Sequence, residues 1–403
     1  MRLSSLGLET FRNYEAERLA FENGIALFYG QNAQGKTNIL EAVFLCTCAR
    51  SHRTGKDSEL VKSGHSAYQV DIEYVTDRDE DESLTIRYDQ EKLKRTITYN
   101  GIQLNRVADL MGLFHAVIFA PEDLSIVKDG PAERRRFLDL LISQIRPRYF
   151  RELSIYQQTL HQRNKLLKQI RDRQMEDDND MLQLDIWDEQ LAKAGAYVMA
   201  TRQFFAKVIE TKANVALSDI TGGKEALSLR YRSFGAKLDA EEQIATEYLE
   251  RLKTARRDDL LRGSTSYGPH RDDLEIALDD KDVRAYASQG QQRSITLALR
   301  IAELGILHEE SGEAPVLLLD DVMSELDVDR RTNLLTAIEG YQVLMTCTDL
   351  HQVFSPAVAD AIYEETTNLE GIDLEKKDRL SRLGTIHFYK VEAGNVHFRG
   401  TLN

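Results

Sequence analysis

Apolar and polar positions alternate through Leu3–Leu8 and Glu17–Phe21, which predicts the two arms of a hairpin. Ile25–Tyr29 is a short apolar run ending in glycine, the pattern of a buried strand. Ile39, Leu40, Val43 and Phe44 then recur at helical spacing, so 38–48 is read as a helix. Tyr68–Val75, Leu84–Tyr88 and Arg95–Tyr99 are β-rich, and Asn100-Gly101 is a hairpin turn signal. From about Glu133 to Leu261 glycine and proline become sparse. Arg148–Gln174 and Leu184–Asn214 read as helices there, separated by the acidic run Glu176–Asp180. The heptads do not persist, so a compact helical lobe is expected rather than a long coiled coil. After Gly268-Pro269 the α/β texture returns, with a helix over Gln291–Leu307 and a buried strand at Val316–Leu319. The expected architecture is therefore α/β, split into 1–125 and 265–403 by a helical insert at 126–264.

Composition narrows the class. The 403 residues are 42% hydrophobic and 29% charged, which suits a globular core and excludes wholesale disorder. No apolar stretch approaches the ~18 residues of a membrane span, and the start of the chain lacks a secretory apolar region. Cys46, Cys48 and Cys347 form neither a disulfide framework nor a zinc pattern, so reduced thiols in a cytoplasm are expected. The formal net charge of −14 excludes a wholly basic nucleic-acid protein but not a local basic patch.

The chemistry begins at Gly30-Gln31-Asn32-Ala33-Gln34-Gly35-Lys36-Thr37, which fits G-x-x-x-x-G-K-[ST] between a strand and a helix. Its glycines let backbone N–H groups converge on phosphate oxygens at the positive end of the helix. Lys36 is expected on the β/γ-phosphates and the Thr37 hydroxyl on Mg²⁺. The strand Val316–Leu319 ends in Asp320-Asp321. Asp320 is expected to help hold Mg²⁺ and Asp321 to polarise an attacking water. Ser288-Gln289-Gly290-Gln291 opens the second predicted helix and makes another anion site. One nucleotide does not need two such sites on one subunit. A head-to-tail homodimer uses both, each subunit's serine–glycine edge closing on the nucleotide of its partner.

Charge is unevenly spread. Glu133–Arg173 holds eleven Lys/Arg against four Asp/Glu, and Gln174–Gln190 holds seven acids and no base. Arg163, Lys165, Lys168, Arg171 and Arg173 are expected to line a face that tracks DNA phosphates. Arg134-Arg135-Arg136 is equally suited to internal pairing with Asp139. His270, in Gly268-Pro269-His270-Arg271-Asp272-Asp273, fits a structural turn as well as an approach to the nucleotide or the dimer interface. The histidines show no metal-ligand spacing.

Taken together, these blocks resemble the ABC-type ATPase heads, and among them the RecF family. The likeness extends over nearly the whole chain. It includes Leu8–Tyr14, Gly35–Glu41, Phe119–Leu124, Glu133–Asp139, Gly268–Asp273, Ser288–Ser294 and Asp320–Asp327. The resemblance implies an ATP-dependent DNA-binding protein of recombinational repair and replication-fork maintenance. It implies dimerisation on ATP, slow DNA-stimulated hydrolysis, action at duplex and single-strand gap junctions, and cooperation with RecR and RecO in placing RecA. Several positions depart from the wider ABC pattern. Ala33 replaces a common glycine, Asp321 replaces glutamate, and Thr346-Cys347-Thr348 replaces a switch histidine. No glutamine lies between Val117 and Ser125. A transporter ATPase subunit is the rival reading, opposed by the missing glutamine and histidine and by the basic insert. An ATPase-coupled nuclease would need a further carboxylate cluster, and none is evident after Thr346.

Overall fold

All five residues of the strand Ile25–Tyr29 are buried. A strand covered on both faces belongs inside a parallel sheet. It pairs in parallel with Val343–Cys347 on one side and Ile386–Glu392 on the other. The sheet continues in parallel through Val316–Asp320 to Ala116–Phe119, and Asn395–Leu402 closes the opposite edge in antiparallel. The register sets Tyr29 beside Cys347 and Asp320 beside Thr346. Three carboxyl ends therefore meet at one edge, the place where parallel α/β sheets bind ligands. This computed structural model describes residues 1–173, 177–234, 240–354, 356–363 and 385–402.

The predicted hairpin forms as Arg2–Glu9 against Ala16–Ala20. It belongs to a six-stranded antiparallel sheet continuing through Ala67–Val75, Asp81–Asp89, Lys94–Tyr99 and Ile102–Gln103. Gln342 fastens this sheet to the parallel one. Its buried amide accepts from Leu3 N at 2.7 Å and donates to Leu3 O at 2.9 Å and Glu22 O at 3.1 Å.

These two sheets belong to one compact unit, made of residues 1–124, 215–224 and 293–403. The second unit comprises 125–214 and 225–292. Its helices are Pro131–Ile145, Pro147–Arg173, most of Asp178–Thr221, and Glu241–Arg262. The last three pack through Tyr156, Leu191, Met199, Tyr248 and Leu252. Gly195 permits this packing, because a Cβ there would lie 2.7 Å from the Tyr248 ring.

The expected boundary near 264 moves to 292, and the Ser288–Gln291 element goes with the second unit. Strand pairing explains the difference. Asp273–Leu278 pairs antiparallel with Leu227–Arg232, and Arg134 grips Asp273 with two bonds of 2.8 and 2.9 Å.

Candidate functional site

The strand Ile25–Tyr29 runs into Gly30, whose φ is 147°, and the loop ends at Gly35, φ 117°, which caps the helix Lys36–Cys48. Both glycines are required. A Cβ on Gly30 would lie 2.5 Å from Val391 O, and one on Gly35 would lie 2.6 Å from the Asn13 amide. The loop is braced from outside. Asn13 Nδ2 donates to Gln34 O at 2.8 Å and Tyr14 OH to Gly35 O at 3.0 Å. Gln34 Oε1 accepts from Ala393 N at 2.6 Å, and Asn32 Oδ1 accepts from Thr348 Oγ1 at 3.1 Å. Asn32 and Gln34 thus shape the loop through their side chains, while Gln31 and Ala33 stand exposed. Ala33 adopts φ 64°, a left-handed conformation that costs an L-residue roughly 1–2 kcal/mol.

Lys36 is buried, and its Nζ donates to Gly30 O at 2.7 Å and Gln31 O at 2.8 Å. Burial lowers its pKa, while the charges of Asp320 and Asp321 oppose that shift. Gly35 has no side chain to cap the first helical N–H groups, which leaves them for an anion. Thr37 Oγ1 donates to Asp320 Oδ1 at 2.9 Å, and Thr346 Oγ1 donates to the same oxygen at 2.7 Å. The Thr346 hydroxyl also accepts from Asp321 N at 2.9 Å. Burial raises the Asp320 pKa against these two donors. A hydroxyl and a carboxylate side by side are the hard oxygen donors that suit Mg²⁺. Asp321 itself sits at φ 51°, a strained corner between the strand and the next turn.

Four side chains beside the loop, Arg12, Glu41, Ser51 and Arg53, lie outside its G-x-x-x-x-G-K-[ST] motif. Arg12 holds Glu41 with bonds of 2.8 and 2.7 Å, and Ser51 donates to the same carboxylate. Burial would raise the Glu41 pKa, but the donors Arg12 and Ser51 hold it below the ordinary carboxylate value. Arg53 reaches Asn38 Oδ1 at 3.2 Å, and its charge acts on Asp320. The signal was present in the Leu8–Tyr14 block, whose Arg12 and Asn13 both turn to the phosphate loop or its helix. Between Val117 and Ser125, the carboxylate of Asp123 is drawn into a buried ion pair with Arg300 at 2.5 Å.

In the second unit, Ser288 and Gln291 form a reciprocal cap. Gln291 N donates to Ser288 Oγ at 3.2 Å, and Ser288 N donates to Gln291 Oε1 at 2.9 Å. Ser288 and Gln289 are exposed at the start of the helix Gln289–Ser311.

The expected DNA face must be corrected. Arg163 is completely buried, with Nε on Asp188 at 2.6 Å and Nη1 on Asp259 at 2.7 Å. It lies on the same helical stripe as Tyr156, Leu166 and Ile170 and cannot reach a phosphate. Arg173 is paired with Asp180 at 2.8 Å and Arg171 with Asp172 at 2.9 Å, while Lys165 and Lys168 are exposed. Arg134 and Arg135 turn inward, onto Asp273 and the Asp272 carbonyl. His270 is structural in its contacts: Tyr156 OH lies 2.5 Å from Nδ1 and Thr265 O lies 3.2 Å from Nε2. Among the described residues, no group of three or more His, Cys, Asp or Glu is placed to hold a metal ion.

Known proteins resemble this chain over most of its length. The family model described as RecF/RecN/SMC N terminal domain matches residues 2–379. The DNA replication and repair protein RecF of Ruminiclostridium cellulolyticum is 42% identical over 351 residues, covering 87% of this chain and 93% of that protein. Its counterpart in Acetivibrio thermocellus is 41% identical over 368 residues, covering 90% and 97%. A solved structure of the recombination mediator protein RecF with ATP, in the RecFOR pathway, superposes with a TM-score of 0.84 at 35% identity, covering 99% of this chain and 98% of that one. An Smc head domain from Pyrococcus furiosus gives 0.52 at 14% identity over 100% of this chain and 96% of that one, a likeness of fold alone.

Proposed function

The chain belongs to the RecF/RecN/SMC family, and on that premise we propose that it is an ATP-dependent DNA-binding protein of recombinational repair and replication. The observation that carries the reading is the Asp320 carboxylate, shared between Thr37 of the phosphate loop and Thr346 of the neighbouring strand. Lys36 and the uncapped N–H groups of its helix take the phosphates. Thr37 and Asp320 hold Mg²⁺, which when bound neutralises phosphate charge. Asp321 orients the attacking water and accepts its proton.

Hydrolysis is slow and stimulated by DNA. The exposed Ser288–Gly290 edge takes the γ-phosphate of a second copy, so ATP assembles a homodimer that closes on DNA. The protein works in the cytoplasm at junctions of duplex and single-strand gaps, with RecR and RecO, and helps place RecA. No described helix is long and apolar enough to cross a membrane.

Analytical ultracentrifugation with and without ATP and duplex DNA tests this. The wild type is expected to dimerise on ATP. Ser288→Arg is expected to bind ATP as a monomer, because the bulky cation fills the space meant for the partner's phosphate. Dimers of Ser288→Arg with weakened nucleotide affinity would show that Ser288 acts in its own subunit.

A further inference from the structure

Gly263–Arg271 is a loop held by far more bonds than its length requires. Asn164 Oδ1 accepts from both Thr265 N and Thr265 Oγ1 at 2.8 Å. Asp259 Oδ1 accepts from Ser266 N at 2.9 Å, and Tyr248 OH donates to Tyr267 O at 2.9 Å. Arg202, itself buried, donates to Pro269 O at 2.8 Å. Arg163 donates to Thr265 Oγ1 at 2.8 Å from the same guanidinium that holds Asp188 and Asp259. Buried ion pairs like these are no more stabilising than apolar packing of the same volume. What they do here is fix one backbone path.

That path displays cations. Arg262 and Arg271 are exposed at the two ends of the loop. Arg262 Nη1 reaches Ser266 Oγ at 3.3 Å, and Arg271 Nη2 reaches Thr265 O at 3.4 Å, so the two guanidinium groups flank the same two residues. Lys168 and Arg171 stand beside them. A Cβ on Gly263, which sits at φ 68°, would lie 2.7 Å from Arg171 Nη1 and 3.0 Å from Lys168 Cγ. His161–Arg171 and Arg262–Arg271 contain no acidic residue, and only Asp172 offsets Arg171. The opposite character appears elsewhere on the helix Glu241–Arg262, where Glu242, Glu247 and Glu250 share one face. Tyr267 packs edge-on against Phe234.

We infer that this loop, with Lys168 and Arg171 beside it, is the surface of the second unit that grips the phosphate backbone of duplex DNA. The inference rests on the reading of the protein as DNA-binding. A rigid loop suits the task because its cations lose little freedom when they meet phosphates, which fix position and carry no sequence information.

The test is a salt titration of binding to a fluorescein-labelled duplex in the presence of ATP, using the full chain. The variant carries Lys168→Gln, Arg171→Gln, Arg262→Gln and Arg271→Gln. Every DNA phosphate deprived of its cation should flatten the plot of log affinity against log salt by about 0.9, hence by about 3.6 for four. Single Arg262→Gln and Arg271→Gln variants should each flatten it by about 0.9, which keeps the test valid if the fourfold variant folds poorly. Lys193→Gln with Lys207→Gln, two exposed cations on another helix of the same unit, should leave the slope unchanged. ATP affinity is measured alongside and should not move. An unchanged slope in both single variants overturns the surface and leaves DNA binding standing. A wild type that ignores duplex DNA with ATP overturns both.

Discussion

Thr346 answers both aspartates at the strand end with one hydroxyl, donating to Asp320 Oδ1 at 2.7 Å and accepting from Asp321 N at 2.9 Å. The parallel register that pairs Asp320 with Thr346 makes this possible. Thr346→Val keeps the shape and removes the hydroxyl. It should cost about 1–3 kcal/mol of stability through unsatisfied buried polar groups. The Asp320 pKa, already raised by burial, should rise further and weaken Mg²⁺-dependent ATP binding. Thr346→Ser should restore both. Thermal unfolding and calorimetric ATP titration read the two effects, and a Thr346→Val protein matching wild type in both would reduce this hydroxyl to a bystander.

Lys36→Ala should weaken ATP by roughly 10- to 150-fold, the equivalent of the ~1.5–3 kcal/mol of a charge-assisted bond. It also leaves Gly30 O and Gln31 O without their donor, so the loop itself loses a clasp. Undiminished ATP-dependent dimers in this variant would contradict the phosphate-loop assignment.

Asp321→Asn should lower turnover while ATP affinity holds, because Asp320 and Thr37 remain in place. The amide cannot take a proton from water. Steady-state hydrolysis compared with a binding isotherm decides the matter. Wild-type turnover would return Asp321 to shaping the strained corner at φ 51°.

Arg163→Met should destabilise the protein by about 3–5 kcal/mol, because Asp259 would be left buried without its cation and Asp188 would keep Arg256 alone. The chemical-denaturation midpoint reports this directly. A shift below 1 kcal/mol, roughly what an exposed ion pair is worth, would mean that the side chain is solvated after all.

His270 and Asp272 should pull the pH dependence of stability in opposite directions. Burial pushes His270 down from 6.5 to about 4 and Asp272 up from 3.8 to about 6. Between those His270 values the unfolded chain binds a proton that the native one refuses, so this residue makes stability rise with pH. Over the Asp272 window the native chain keeps a proton that the unfolded one has released, so stability falls with pH. His270→Asn removes only the first effect. Relative to wild type, the variant should be more stable at about pH 5 than at about pH 7. Parallel urea curves at the two pH values would show that His270 does not titrate in this window.

Local pattern predicts what local pattern controls. The phosphate loop stands between its strand and helix, and the Leu3–Leu8 arm pairs with the strand that follows it. Local pattern misleads at the start of the long helix. Asp177 and Asp178 read as part of a break, yet Asp177 Oδ1 accepts from Asp180 N at 2.7 Å and the helix runs from Asp178 to Thr221. Acidic residues there complement the helix dipole. Charge counting also fails at Arg163, since a tally along the chain ignores which face a residue occupies. The strands Ile386–Glu392 and Asn395–Leu402 carry no local signal of their place, which depends on a strand near the opposite end of the chain.

That distant pairing has a consequence for synthesis. The phosphate-loop strand Ile25–Tyr29 finds its neighbours only in Val343–Cys347 and Ile386–Glu392. At ribosomal speeds of about 5–20 residues per second, it waits roughly 15–60 s for the first of them. The antiparallel strands before Gln103 can pair early, as can the helices of the second unit. The nascent chain therefore passes through a long interval in which an apolar strand, destined for the middle of a sheet, has no edge to join. A chaperone that shields Ile25–Tyr29 would guard the ATP site before it exists.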